Sequence, residues 1–402
     1  MLDLEMIRAA ATRLNGRVRR TELIPSHYYS ERIGAPVWFK CENLQRTGSF
    51  KLRGATNFLL NQTNELLRNG VITASAGNHA QGLACAAQQE GIPATVVMPE
   101  TTPLAKVLAT KGYGAEIVLH GTGFDEAAVK AQQLQVEQGS LFVPAFDHPL
   151  VMAGQGTVGL EIIDQLSDID TLMVPIGGGG LVSGIASAVK ALRPGVRVIG
   201  VQAADAPSAL LARRKGAPVT LAAAHSLADG IVVKRLGEQT FPLIETLVDD
   251  LVTVEEEAIA QAIVSLLEKG KLVVEGAGAV TLAALLYGRK KLASGNTVCV
   301  LSGGNLDVQT LARVVERGML AEGRFLKVRI ELQDVPGALA ELAATLATLG
   351  ANILHVSHDR RRADVPLGRT EVRVELETRG PEHIKDILEA LPAAGFDTEL
   401  EP

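Results

Sequence analysis

Thr171-Leu172-Met173-Val174-Pro175-Ile176-Gly177-Gly178-Gly179-Gly180-Leu181-Val182-Ser183-Gly184 runs from an apolar stretch, through four adjacent glycines, into a small-residue helical pattern. A strand that ends in glycines and opens a helix reads as a βα unit. Glycines at that junction let backbone N–H groups crowd around an anion, and the helix N-terminus adds a favourable dipole. The run therefore reads as a phosphate cradle, with close packing of helix on sheet as the plainer alternative. It has no GxGxxG spacing, and GxxxxGK[ST] occurs nowhere in the chain, so dinucleotide and P-loop nucleotide binding lose support. The uncharged stretch Thr171 to Val189 is also the best candidate for a membrane span. Pro175 and the glycine run sit in its middle, where a spanning helix would be badly served, and the reading is rejected.

Outward from this junction the same alternation recurs. Apolar runs at Ala94 to Met98, Glu116 to Leu119, Thr171 to Ile176, Val196 to Gln202 and Thr297 to Leu301 are separated by alanine-rich helical stretches. That order predicts an α/β fold with mostly parallel sheet. One helix is predicted over Thr253 to Lys269, with Thr253 and Glu256 at capping-box spacing and Ile259, Ile263, Leu266 and Leu267 on its apolar face. The pattern changes after Gly318: Met319 to Arg324 reads as a linker. Beyond it come a strand (Phe325 to Gln333), a helix (Pro336 to Leu349), a strand (Ala351 to Ser357), a polar turn (Asp359 to Gly368), a strand (Arg369 to Glu377), a helix (Pro381 to Leu391) and a last strand (Phe396 to Leu400). This βαββαβ order is the ferredoxin-like motif.

The 402 residues, 47% of them hydrophobic, suffice for more than one core. A net charge of −6 supplies no basic field for a polyanion, so no nucleic-acid partner is expected. The three cysteines, Cys41, Cys85 and Cys299, stand far apart, signalling neither a zinc site nor a disulfide framework. A reducing cytoplasm fits. Met1 to Leu14 mixes Asp3, Glu5 and Arg8 with apolar residues at helical spacing, unlike an export signal.

Two further segments carry chemistry. Ser49-Phe50-Lys51-Leu52-Arg53-Gly54-Ala55 sets an ammonium among apolar and small residues. Burial would lower the Lys51 pKa and make it an amine able to form a Schiff base, although in isolation such a lysine is more often a surface residue at a helix start. Ser75-Ala76-Gly77-Asn78-His79-Ala80-Gln81-Gly82 is an uncharged polar loop whose hydroxyl, amide and backbone N–H groups suit an α-carboxylate or a phenolic oxygen. Alone, it could be a simple capping turn, and His79 a satisfied helix histidine.

Together with Glu275-Gly276-Ala277-Gly278-Ala279 and Leu301-Ser302-Gly303-Gly304-Asn305, these segments resemble, in order and spacing, the threonine dehydratase branch of the β-family (fold type II) of pyridoxal 5′-phosphate (PLP) enzymes, along roughly residues 5 to 318. The resemblance implies a catalytic domain over 1–318 with two parallel-sheet subdomains, the smaller over about 52–150, a linker at 319–324 and a tail domain over 325–402. It implies that Lys51 is the Schiff-base lysine and base, that Phe50 packs against the ring, and that Asn78 bonds the ring 3′-oxygen. Gly177, Gly178, Gly179, Gly180 and Leu181 would bind the phosphate, which would protonate the leaving hydroxyl, and Ser302 would face the pyridine nitrogen. Ser75, Asn78 and His79 would meet the substrate. The implied reaction is elimination of water and ammonia from L-threonine, with L-serine as a second substrate.

The tail from Phe325 to Leu400 resembles an ACT domain, through Asp334-Val335-Pro336-Gly337 and Leu349-Gly350-Ala351-Asn352-Ile353. That implies an amino-acid effector, isoleucine or valine foremost, and a dimer or tetramer. Serine racemase shares the catalytic motifs, but its second acid is a serine in the substrate loop, and here Ala76 stands there. The racemases' metal carboxylates align with Gln202 and Ser208, so no metal is expected. From a different class, an inert amino-acid sensor would not be expected to retain Lys51, Asn78 and Ser302.

Overall fold

The computed structural model describes residues 2–288, 292–359 and 366–401. Its chain divides into two compact units, Met1–Val308 and Gln309–Pro402.

The first unit holds two sheets. Leu23–Pro25 (β1), Val37–Cys41 (β2), Thr171–Pro175 (β7), Arg197–Ala203 (β8), Asp250–Val254 (β9) and Thr297–Leu301 (β10) form a six-stranded sheet in the order β1-β2-β10-β7-β8-β9. All neighbours are parallel except β1, which runs antiparallel to β2 at the edge. The sheet is thus mostly parallel, as the alternation of apolar runs and helical stretches predicts. Val71–Ala74 (β3), Ala94–Met98 (β4), Glu116–Leu119 (β5) and Leu141–Phe142 (β6) form a second, wholly parallel sheet in the order β5-β4-β3-β6. Central strands β3, β4, β7 and β10 are buried along their whole length, as sheets covered by helices on both faces require. The rejected span Thr171 to Val189 divides into β7 and the helix Gly180–Leu192. No described helix is long and apolar enough to cross a membrane.

The capping box at Thr253 is not used. Thr253 lies in β9 opposite Gln202, and the helix begins at Glu256, whose carboxylate takes the Ser226 hydroxyl (2.5 Å) and the Leu227 N–H (2.7 Å). Ile259, Ile263 and Leu266 are buried as expected, and the helix closes with a π turn over Leu266–Gly270.

In the second unit Phe325–Gln333 (β11), Asn352–Asp359 (β12), Arg369–Glu377 (β13) and Asp397–Leu400 (β14) make an antiparallel sheet in the order β12-β13-β11-β14. The helices Ala338–Thr348 and Pro381–Ala393 bury Leu342, Leu346, Ile387 and Leu391 against Val328, Ile330, Val372 and Val374. The βαββαβ order stands. Of the polar turn Asp359 to Gly368, residues 360–365 lie outside the described residues. The linker expected at Met319 begins as the last turn of a helix, Val308–Ala321, tied to β11 by Glu316 and Lys327 at 2.8 Å.

Candidate active site

The carboxyl ends of the strands meet at one cavity in the first unit. Its walls include Phe50, Lys51, Asn78, Ala145, Phe146, Gly177 to Leu181, Glu275, Ala277 and Ser302. Lys51 opens the helix Lys51–Leu59, and the turn before it is pinned to the turn after β10: Phe50 N–H donates to the Ser302 carbonyl at 3.1 Å, and Ser49 bridges Gly303. That pairing brings two distant motifs to one wall. The Lys51 Nζ donates to the Ala145 carbonyl at 2.8 Å, and burial, opposed by the charge of Glu275, pulls its pKa down to about 8.

The glycine run turns out of β7 with Gly179 at φ 99° and starts the helix Gly180–Leu192. A Cβ on Gly178 would stand 2.5 Å from the Phe146 ring, and one on Gly179 2.7 Å from the Thr240 hydroxyl oxygen, so side chains are excluded where the backbone lines the cavity. Thr240 holds the turn by donating to the Gly178 carbonyl at 2.7 Å. A backbone concavity at a helix N-terminus, a buried amine, a side-chain amide and a hydroxyl together suit a phosphate-bearing carbonyl cofactor such as PLP. Across the cavity the Ser302 hydroxyl donates to the Ala277 carbonyl at 3.2 Å. The Asn78 amide donates to Glu275 Oε1 at 2.6 Å and accepts from Asn305 Nδ2 at 2.8 Å.

Phe50, Lys51, Asn78, Gly177 to Leu181 and Ser302 are thus brought together, whereas two of the residues expected to meet substrate are not among the cavity walls. The Ser75 hydroxyl accepts from Gly77 N–H at 3.3 Å. His79 is buried with its Nε2 3.1 Å from the Val143 carbonyl, and burial, aided by the Lys51 charge, pushes its pKa down to about 3. Burial thus favours the neutral ring, and the contact the structure gives it is to the backbone of Val143. Sequence reasoning gave no role to Glu275, Phe146, Asn305 or the Gly230–Ile231 wall. Glu275 stood inside a quoted motif, but a glutamate before Gly-Ala-Gly reads as an ordinary helix cap. Gln202 Oε1 accepts from Ala209 N–H and Leu210 N–H, and its Nε2 lies 3.2 Å from the Ser208 hydroxyl, so this pair acts as a neutral cap for the helix Ser208–Lys215.

The description "Pyridoxal-phosphate dependent enzyme" matches residues 14–303, and an ACT domain matches residues 327–393. The chain belongs to the pyridoxal-phosphate dependent enzyme family, carries an ACT domain behind the catalytic body, and depends on PLP. It is 58% identical over 396 residues to the L-threonine ammonia-lyase of Geobacter sulfurreducens, covering 98% of each chain. Among solved structures it resembles the T.th. threonine deaminase (TM-score 0.72, 41% identity, 76% of this chain and 99% of that one). It also resembles maize serine racemase (TM-score 0.75, 35% identity, 80% of this chain and 98% of that one).

Proposed function

We propose that the chain converts L-threonine to 2-oxobutanoate and ammonia, and L-serine to pyruvate and ammonia, with Lys51 as the catalytic base. The observation that carries this reading is the Lys51 amine, buried on the cavity wall that the glycine cradle and Ser302 complete, in a chain 58% identical along its length to an L-threonine ammonia-lyase. Bound PLP supplies an electron-withdrawing ring conjugated to the substrate nitrogen, which acidifies the Cα–H. Gly177 to Leu181 would hold the phosphate through backbone N–H groups and the helix dipole. Asn78 would orient the ring through its amide, and Phe50 would pack against it. Lys51, as a free amine on the cavity wall, would accept the Cα proton from one side. Of the loop Ser75 to Asn78, which would receive the α-carboxylate, Asn78 lines the cavity and Ser75 braces the turn through the Gly77 N–H. Ser302 offers the ring nitrogen a neutral hydroxyl, and a carboxylate at that place would hold it protonated more firmly.

Serine racemase is the second reading, favoured by the likeness to the maize enzyme. Racemisation needs a proton donor on the face opposite Lys51, and Ala76 supplies none. The deciding experiment is a steady-state assay on L-threonine, L-serine and D-serine with the wild type and Lys51→Ala. Loss of about three orders of magnitude or more in threonine turnover in the variant supports the reading. Near wild-type turnover in the variant, or abundant D-serine made from L-serine by the wild type, overturns it.

The ACT domain is read as the seat of a branched-chain amino acid in a dimer or tetramer. Gly337 opens the helix Ala338–Thr348 and Asn352 follows its far end, roughly 16 Å away for 11 residues, so a ligand touching both would lie between two modules. Exposed Leu354 and Val356 on the edge strand β12 suit such pairing. A cytoplasmic setting accords with three buried, unpaired cysteines.

A further inference from the structure

Glu275 stands immediately before the helix Gly276–Tyr287, where an acidic side chain commonly turns back to cap its own helix. Here it makes no cap bond. Its carboxylate instead takes the Asn78 Nδ2–H at 2.6 Å and the Asn305 backbone N–H, while Asn305 Nδ2 donates to Asn78 Oδ1 at 2.8 Å and to the Thr47 carbonyl at 2.7 Å. The Asn78 amide is clamped at both ends. Because a carboxylate presents acceptors and Asn305 presents a donor, the clamp also fixes which end of Asn78 is nitrogen, leaving its second N–H for a ligand. The seat is cut for this carboxylate: a Cβ on Gly303 would stand 2.1 Å from its Oε1. Among the described residues that line the cavity, Glu275 is the sole acid.

We propose that Glu275 is a positioning residue, which aims Asn78 at the phenolic oxygen of bound PLP and whose charge sets the field at Lys51. This rests on the reading above of Lys51 and Asn78 as cofactor residues. The charged and titratable groups around it are Lys51 on the helix Lys51–Leu59, His79 on the helix Asn78–Glu90, and Asp229 with its ion-pair partner Lys106 at 2.5 Å. Burial first, then the charge of Asp229, push the Glu275 pKa up to about 7, against the bonds from Asn78 and Asn305 and the charge of Lys106. The carboxyl is neutral below that pH and charged above it. On deprotonation the cationic nitrogen at Lys51 gains a counter-charge, which raises that nitrogen's proton affinity.

Glu275→Gln keeps the shape and an acceptor for Asn78 but removes the charge, whereas Glu275→Ala removes the clamp. The experiment strips PLP from the wild type and both variants, measures PLP affinity on re-addition, and follows the visible absorbance of the bound cofactor against pH. In Glu275→Gln the inflection near pH 7 should vanish and kcat fall about tenfold with KM within about twofold, because charge is lost and substrate contacts are not. In Glu275→Ala PLP affinity should fall about tenfold or more, with Glu275→Asp recovering part of it. If both variants keep the wild-type absorbance profile and PLP affinity, the proposal fails. Should Glu275→Ala not fold, the pH profile of Glu275→Gln decides alone. Lys51→Ala, run alongside, separates the two ideas: an unchanged cofactor spectrum there defeats the underlying assignment, while a lost spectrum with an unaltered Glu275→Gln defeats only the role of Glu275.

Discussion

The Lys51 amine, pulled to about 8 by burial, is half neutral near pH 8, where an exposed lysine would be less than about 1% neutral. Only the neutral amine attacks a carbonyl, so PLP uptake by the apoprotein should slow about tenfold for each pH unit below 8 and level off above it. Stopped-flow absorbance measures this, and a rate still climbing steeply between pH 9 and 10 would mean that the amine is not buried as described. The cradle makes a second demand. Gly178→Ala would drive a methyl group against the Phe146 ring, 2.5 Å away, so PLP affinity should drop about tenfold or more while the circular dichroism spectrum is kept. Unchanged affinity would place the phosphate elsewhere. Gly177 to Gly180 stand out in the sequence because four glycines occupy the place where a helix should start, whereas Lys51, alone more like a surface lysine, stands out only through the order and spacing of the surrounding motifs. Glu275 and His79 do not. One mimics a cap and the other reads alone as a satisfied helix histidine, and only tertiary contacts reveal what each touches.

Two residues after Lys51, Arg53 anchors the helix Lys51–Leu59 from inside. Its guanidinium reaches Glu42 at 2.8 and 2.9 Å and Glu161 at 2.6 and 2.9 Å, and Lys40 joins Glu161 at 2.6 Å. Arg53, Glu42 and Lys40 are fully buried. Burial alone would raise the Glu42 pKa, yet the Arg53 charge and hydrogen bonds hold it below the usual carboxylate range. Removing one partner of such a cluster leaves uncompensated buried charge, so Arg53→Met should destabilise the catalytic unit by about 3–5 kcal/mol in urea unfolding. A loss under about 1 kcal/mol would show that water or Lys40 replaces the guanidinium. Such elements are only partly readable from sequence. The parallel strands declared themselves as apolar runs between helical stretches, whereas Arg53 and Glu42 lie 11 residues apart with nothing local to pair them. At Thr253 a local signal misled: the capping pattern is present, but pairing with β8 extends β9 through that residue, and the sheet outweighs the cap.

The division at Val308 sets where the molecule can be cut. The helix Val308–Ala321 falls almost wholly in the second unit and is tied to β11 through Glu316 and Lys327, so removing Phe325 to Pro402 alone would strand it. A chain ending at Val308 retains both parallel sheets and every wall of the cavity. The T.th. threonine deaminase, matched over 99% of its length by 76% of this chain, is a relative of about that extent. The shortened enzyme should therefore keep kcat/KM for L-threonine within about threefold. Regulation should behave differently. An effector seated between paired ACT modules needs a differential affinity of only about 1–3 kcal/mol between two states of the assembly to alter the active site several-fold. With the modules gone that differential is gone too, so isoleucine or valine, added up to millimolar levels, should shift the threonine saturation curve of the full chain and leave that of residues 1–308 where it was. Sedimentation measured in parallel tells whether loss of response travels with loss of assembly. A response that survives in the shortened chain would put the regulatory site in the catalytic unit and leave the ACT domain as an assembly element.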